Sequence, residues 1–409
     1  MRISTSNLFS IPTTQLSNLQ GQLARTQQQL ASGHRMLSAA DDPIAAARVL
    51  QVTQSQSINA QFATNRQNAR TALSQEEVAL NSVQNLVQDV QQLVVAAGNG
   101  ANTPSDRASY ADELQGRFDD LLALANSSDG NGGYLFSGYK TGTQPFVASA
   151  SGVIYQGDQG QQQVQVGGAR KVAINDTGSA IFEGLPTGNG SFATSAAAAN
   201  TGNAVISTGT VFDPRAATGH SYSIAFTAPA GAPTTFVVTD TTTGATVPPA
   251  PADPTRAYTS GGQIDIDGMR MDIQGAPADG DAFAVQPSQK QSMFTALSSL
   301  IAVLRAPVGD AASQKALKDG LGQANADFSN GLDNVLSVRS ALGARMKELD
   351  TLDAAGMDAD VQFAATLQGL SDLDYTKAIS DFTQQQTNLE AAQKTFKAVS
   401  GLSLFNYIG

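Results

Sequence analysis

Side chains capable of acid–base, nucleophilic or metal chemistry are scarce in this chain. His34 and His220 are the only histidines and cysteine is absent, so neither an H-E-x-x-H pair, a three-histidine zinc site nor a thiolate site can be assembled. The sequence also lacks G-x-S-x-G, G-x-x-x-x-G-K-[ST], and any G-x-G-x-x-G leading into a helix. His34 follows Gly33 in a polar turn and His220 sits in a Thr-Gly-His-Ser loop, so both read as surface residues without a role.

The acidic candidates are equally thin. Asp265, Asp267 and Gly268 match the start of a calcium loop, but the carboxylate that should close such a loop is missing, and Asp-Gly is the preferred hairpin turn. Asp279-Gly280-Asp281 could hold a cation, although a solvated turn ahead of Phe283 and Val285 is the simpler reading. Asn126-Ser127-Ser128 and two similar triplets are expected by chance in a chain so rich in Ser and Thr. No catalytic residue, metal or cofactor is assigned, and the chain is read as a structural protein that is not an enzyme.

Composition narrows the remaining classes. At 409 residues the chain exceeds a single hydrophobic core, and 41% apolar residues suffice for more than one. A net charge of −11 without any basic run repels phosphate and argues against nucleic acid. The polar start Met1-Arg2-Ile3-Ser4 leads into no apolar signal core, and no apolar run is long enough to span a bilayer. A soluble protein is expected, one that would leave a cell by a route other than an ordinary cleaved signal.

Composition also changes along the chain. Most prolines fall between Pro186 and Pro277 amid Gly, Thr and Ala, while the flanks are rich in Leu, Gln and Ala. The centre therefore reads as β and loop, and the flanks as helix. Asp42-Pro43 is a helix start, because the carboxylate can accept an orphan N–H and proline at the first helical position loses nothing. Leu80, Val83, Val87, Val90, Val94 and Ala97 continue this helix with one apolar seam, read as the core of a bundle within the chain.

Gly98-Asn99-Gly100 ends that helix, and Thr103-Pro104-Ser105-Asp106 supplies a capping box for the next, with Tyr110, Leu114, Phe118, Leu121 and Ala125 as its stripe. Tyr134-Leu135-Phe136 opens the β-rich region, in which Ile264 to Ile273 form a hairpin around Asp267-Gly268. Helical periodicity resumes near Ser288 and runs on through Leu321, Phe328, Val335, Leu342 and Leu349, in a heptad frame broken at Gly331 and Arg345.

At the two ends the spacing becomes that of a coiled coil. Leu16, Leu23 and Leu30 repeat every seven residues with Leu19 between them; Tyr375, Phe382, Leu389 and Phe396 do the same, with Ala378, Ala392 and Val399 in the companion positions. Both ends carry little charge, so each is expected to be poorly ordered alone and to fold on assembly.

Four stretches resemble the flagellar hook-associated protein 3 family within the flagellin-like superfamily. They are Leu30-Ala31-Ser32-Gly33-His34-Arg35 leading to Ala40-Asp41-Asp42-Pro43; Gly133-Tyr134-Leu135-Phe136-Ser137-Gly138 leading to Pro145-Phe146; Val338-Arg339-Ser340 with Gly343-Ala344-Arg345 and Leu349-Asp350; and Leu402-Ser403-Leu404-Phe405. The Gly280-Asp281 turn before Phe283 resembles a motif of the β domains of hook-associated proteins. Otherwise the middle, from about Phe146 to Ala284, carries no further resemblance that can be named.

That resemblance implies a mainly α fold with a β insert. Residues 1–32 and 375–409 would form an antiparallel terminal coiled coil, 33–145 and 286–374 a helical bundle, and 146–285 a β-rich outer domain. It implies a structural adaptor at the hook–filament junction of a bacterial flagellum, secreted by the flagellar export apparatus. Its partners would be further copies of itself, hook-associated protein 1, flagellin and an export chaperone, with no nucleic acid and no membrane insertion. Subunit contact is assigned to Leu16, Leu19, Leu23, Leu30, Phe382, Leu389, Phe396 and Val399, and to Leu402 and Phe405 of the C-terminal motif. The competing readings are a flagellin-like filament subunit, against which Leu404-Phe405-Asn406-Tyr407 argues, and a glycan-binding or enzymatic module in the centre, which no residue recommends.

Overall fold

Helices begin where the sequence caps them. In the computed structural model, which describes residues 5–150, 152–248 and 252–401, α1 (Thr5–Ser32) is followed by α2 (Pro43–Ala97) and α3 (Pro104–Ala125). The Asp42 carboxylate accepts the Ala45 amide at 3.0 Å and starts α2. At α3 both halves of the capping box are made: the Asp106 amide donates to Thr103 Oγ1 at 3.2 Å, and the Thr103 amide to Asp106 Oδ2 at 2.8 Å. A short α4 (Gly178–Phe182), then α5 (Met293–Arg305), α6 (Ala311–Ser371) and α7 (Tyr375–Gly401) complete the helices. Among the described residues, no helix is long and apolar enough to cross a membrane.

The chain divides into two compact units, Met1–Asn65 with Asp350–Gly409, and Arg66–Leu349. The division falls inside α2 and α6, not at the loops that separate helical segments in the sequence. Burial gives the reason: before Arg66 the only buried apolar residue of α2 is Ala45, whereas from Ala69 onward the seam through Leu80, Val83, Val87, Val90 and Val94 is closed.

In the second unit that seam, Leu114 and Leu121 of α3, Leu297, Leu300 and Leu304 of α5, and Leu321, Phe328, Val335, Leu342 and Leu349 of α6 are all buried. Gly331 and Arg345 do not interrupt α6, which is continuous through both. They are the places where another segment docks. A Cβ on Gly331 would lie 3.2 Å from Leu185 and 3.3 Å from Met293, so the missing side chain admits close packing. Arg345 reaches out to the Asp176 carboxylate and the Ala173 carbonyl.

No strand forms at Tyr134-Leu135-Phe136; the first strand is Phe146–Ser149, paired with Gly152–Tyr155. The Tyr134 to Phe136 stretch is turn instead, bonded through the Tyr134 amide to the Thr141 carbonyl, and it delivers Phe136 into an aromatic core with Phe146, Phe182 and Phe294. Phe146 stands 5.3 Å from Phe182 and 5.2 Å from Phe294, and Phe118 stands 5.8 Å from Phe294, all between ring centroids.

Residues 192–287 make two antiparallel sheets over one core. The first runs in the order Thr246–Val247, Thr235–Asp240, Tyr222–Thr227, Ala282–Pro287, Phe192–Ala196, with Thr255–Ala257 also paired to Thr235–Asp240. The second pairs Gln263–Ile266 with Met269–Gln274, and the latter with Val205–Ile206 and Thr210–Val211. Asp267 at φ 41° and Gly268 at φ 77° form the turn with two left-handed residues that Asp-Gly signals. Phe226, Phe236, Ile264, Met271 and Phe283 fill the space between the sheets.

Asp281 departs from the sequence reading of a solvated turn. It is 2% exposed, and its carboxylate accepts the amides of Thr201 (2.8 Å), Gly202 (3.1 Å) and Ala278 (2.9 Å), closing two loops at once.

Phe294 joins three aromatic neighbours, so Phe294→Ala should cost about 3–5 kcal/mol of stability, read from the urea midpoint. Val78→Ser, at a position 68% exposed, should change that midpoint by less than about 0.5 kcal/mol equivalent.

Candidate assembly interface

The first unit brings the two ends of the chain together. Thr26 of α1 meets Gln385 of α7, and Gly33 at the end of α1 meets Tyr375 at the start of α7, so the two helices run antiparallel. Leu16, Leu19, Leu23 and Leu30 line one side of the seam, half-buried; Phe382, Leu389 and Phe396 line the other, half-buried as well, with Ala378 buried. Val399 lies on α7 at a position whose side chain is not described, and Leu402 and Phe405 fall outside the described residues. Tyr375, placed in the seam by its heptad, is 53% exposed.

Sequence periodicity missed two seam positions because they are polar. Thr26 is 6% exposed, and its hydroxyl lies 2.9 Å from Gln385 Oε1 and 3.1 Å from the Gln22 carbonyl, sharing one proton between two acceptors. Both residues sit at the 3/4 spacing of their helices, three after Leu23 and three after Phe382. The spacing, not the residue type, was the signal that could have found them.

Below the seam a clamp fixes where the helices meet. The Arg35 amide donates to the Ser371 carbonyl at 2.8 Å and the Leu373 amide to the Gly33 carbonyl at 2.9 Å, forming a bridge between His34 and Asp372. Gly33 takes φ 73°, and a Cβ there would lie 2.8 Å from the Tyr375 hydroxyl, so glycine is required twice over. The Arg35 guanidinium donates to the Leu370 carbonyl at 3.0 Å and pairs with Asp42 at 3.4 Å.

The Asp41 carboxylate accepts the amides of Leu37 (2.8 Å) and Ser38 (3.0 Å) and pairs with Arg25. Those amide bonds, Leu37 first, hold its carboxyl below the usual range, with the Arg25 charge adding to them. The Leu30 to Arg35 and Ala40 to Pro43 motif is thus the joint between the first helix, the second and the last.

The N-terminal side of this joint carries few charges, whereas its C-terminal side presents Asp372, Asp374, Lys377 and Asp381. Between Thr5 and Asn65 the charged side chains are Arg25, Arg35, Asp41, Asp42 and Arg48, and four of those five pair with one another. Ile44, Leu50 and Ile58 on α2, Met357 and Val361 on α6, and Ile379 on α7 are exposed. Helices that stay in water carry charges on the wet face; α1 and the first part of α2 carry mostly Gln, Ser and aliphatic side chains there. The arrangement is suited to burial against other polypeptide.

Among the described residues no three His, Cys, Asp or Glu side chains come close enough to hold a metal. His34 is exposed in the clamp and acts there through its backbone. His220 is not the unengaged surface residue its loop suggests: its Nδ1 lies 2.7 Å from Asp240 Oδ2. Burial pushes the Asp240 carboxyl up, but bonds from the Thr243 hydroxyl, His220 and the Thr242 and Thr243 amides outweigh it and hold the group at about 2. An ionised Asp240 makes Nδ1 the donor.

Known proteins resemble this chain in sequence and fold. Residues 3–141 match the family described as the bacterial flagellin N-terminal helical region, and residues 195–287 match the D2-like domain of flagellar hook-associated protein 1. The chain is 30% identical over 406 residues to flagellar hook-associated protein 3 of Salmonella typhimurium, covering 99% of each, and likewise to that of Escherichia coli. Flagellins such as that of Salmonella dublin match over 130 residues, at 32% identity and 32% of this chain. Among solved structures, flagellar hook-associated protein 3 from Legionella pneumophila superposes with a TM-score of 0.74 at 33% identity, covering 79% of this chain and 98% of that one. FlgL of Xanthomonas campestris superposes at 0.68 with 31% identity, covering 78% and 99%.

Five substitutions test this geometry. Gly33→Ala should lower the thermal midpoint of the chain, by a backbone cost of about 1–2 kcal/mol plus the Tyr375 contact, of which Tyr375→Ala relieves the second part only. Thr26→Val should cost about 1 kcal/mol by taking away the hydroxyl that the half-buried Gln385 side chain accepts from, and adding Gln385→Leu should return most of that, in a double-mutant cycle of urea midpoints. Because the Asp240 carboxyl lies below its ordinary 3.8, its contribution is whole above about pH 4 and is lost as pH falls toward 2; Asp240→Asn should flatten the acid limb of a pH–stability curve.

Proposed function

The chain belongs to the flagellar hook-associated protein 3 family, and from that membership we propose that it is the adaptor that seats the filament of a bacterial flagellum on its hook. It is a structural component of the hook–filament junction. The observation that carries this reading is coverage: the similarity to hook-associated protein 3 spans 99% of the chain, helices and β domain alike, whereas the match to flagellin spans 32% of it. A filament subunit accounts for the helices but not for the rest.

The mechanism is mechanical. The α1–α7 seam buries only one side of each helix, leaving Leu16, Leu19, Leu23, Phe382, Leu389 and Phe396 half-covered in the single chain. Contact with neighbouring subunits removes more of that surface from water, and at ~25 cal/mol per Å² even partial burial supplies several kcal/mol per subunit. The entropy of ordering the ends offsets much of this gain, which favours addition at an existing end over free polymerisation.

One neighbour is the preceding hook-associated protein 1 and the other is flagellin, with further copies of this chain beside it. Export by the flagellar apparatus, with a chaperone covering the terminal helices beforehand, fits their low charge. No step requires covalent chemistry, and the relatives are structural proteins, so we assign no enzymatic activity.

Removal of Met1–Leu30 or Tyr375–Gly409 should leave a folded, soluble core that fails to attach filament to hook. The check is electron microscopy of flagella from a deletion strain complemented with each form: the full chain restores filaments, and the truncations leave bare hooks. Filaments on hooks carrying only a truncated form would sink the mechanism, and long filaments grown by the purified chain alone would sink the junction assignment.

A further inference from the structure

The hairpin Gln163–Gln165 with Lys171–Ala173 rests on the helices of the second unit through charged groups set around one buried carboxyl. Arg66 of α2 donates to the Val166 carbonyl at 3.1 Å; Arg345 of α6 donates to the Ala173 carbonyl at 3.3 Å and pairs with Asp176; and Arg170 of the hairpin pairs with Glu348 of α6. Val166 and Val172 are the buried apolar side chains of the hairpin.

Glu76 of α2 lies beneath this contact and is 1% exposed. Its Oε1 accepts the Asp176 amide at 3.0 Å, while its Oε2 is buried without a hydrogen-bond partner. Arg345, the cation whose charge acts on it, is already committed to Asp176, and the next helical neighbour, Glu77, is paired with Arg339. An ionised Glu76 would therefore face Asp176 with an uncompensated oxygen in a dry site; a protonated one would not.

We propose that Glu76 is a proton-operated latch, seating the 163–173 hairpin on α2 and α6 when protonated and releasing it when ionised. Burial first, and the Asp176 charge second, push the Glu76 carboxyl up to about 8 against the opposing pull of Arg345. In the released state Glu76 returns to water and to its ordinary value of 4.5. Between those two values the seated state holds a proton that the released state has lost, so seating weakens as pH rises through this window and levels off above it. Release uncovers Val166 and Val172 and the stretch of α2 around Arg66, giving the subunit a segment whose attachment follows pH without unfolding the bundle.

Amide hydrogen exchange of the full chain reads this directly. Protection of residues 161–176, corrected for intrinsic rates, should fall by up to a hundredfold, or ~tenfold per unit, from about pH 5.5 to about pH 7.5, while residues 293–305 of the bundle keep theirs. Glu76→Gln, which keeps the shape and cannot ionise, should hold hairpin protection constant across that range. Arg170→Ala should lower protection at every pH and leave the slope unchanged. A flat profile in the unaltered chain, the same slope in Glu76→Gln, or an equal loss in residues 293–305 would each overturn the latch.

Discussion

Two backbone hydrogen bonds, Leu373 to Gly33 and Arg35 to Ser371, fix where the first helix of the chain meets the last. Everything at the terminal end follows from them. They set the two helices side by side in opposite directions, so that leucines spaced by three and four on one face phenylalanines and alanines spaced the same way on the other. They also force Gly33 into a left-handed conformation under Tyr375, which leaves no room for any other residue there. Asp41 and Asp42 stand beside the joint, one gathering the loop and the other opening α2.

A two-helix seam cannot bury a full circumference, and this one does not. Its large side chains stay half-covered, and the outer face of α1 carries glutamine and serine where a finished surface would carry charge. Such a surface is tolerable in a part that is soon covered. The polar Thr26–Gln385 contact inside the seam has a different character, because a slipped or mispaired partner would leave the buried Thr26 hydroxyl without Gln385 as its acceptor. Stability is traded there for a definite pairing.

The β domain is built by the opposite logic. Its two sheets close over phenylalanine, isoleucine and methionine, and its polar groups turn inward to satisfy loop amides, as Asp281 does for Thr201, Gly202 and Ala278. It is finished without a partner. The 163–173 hairpin lies between these extremes, with two buried valines and a set of arginines and carboxylates holding it to the bundle.

Local chemistry made much of this legible from the amino-acid sequence. Asp42-Pro43, Thr103-Pro104-Ser105-Asp106 and Asp267-Gly268 each act on neighbours within a few residues, so the helix starts and the hairpin turn could be read without knowing the fold. Heptad spacing disclosed the seams, and the absence of cysteine excluded disulfides and thiolate sites. What could not be read depended on residues far apart in the chain. Gly331 and Arg345 looked like flaws in a helix until Leu185 and Asp176 were placed against them. His220 looked idle without Asp240, Asp281 looked solvated without the 201–202 loop, and Glu76 looked like any surface glutamate before Asp176 was set above it. The sequence by itself determined the elements and their apolar faces, because those rest on short-range sterics and periodicity; the tertiary structure alone decided which polar groups are buried and with whom, because desolvation is a property of the packed whole.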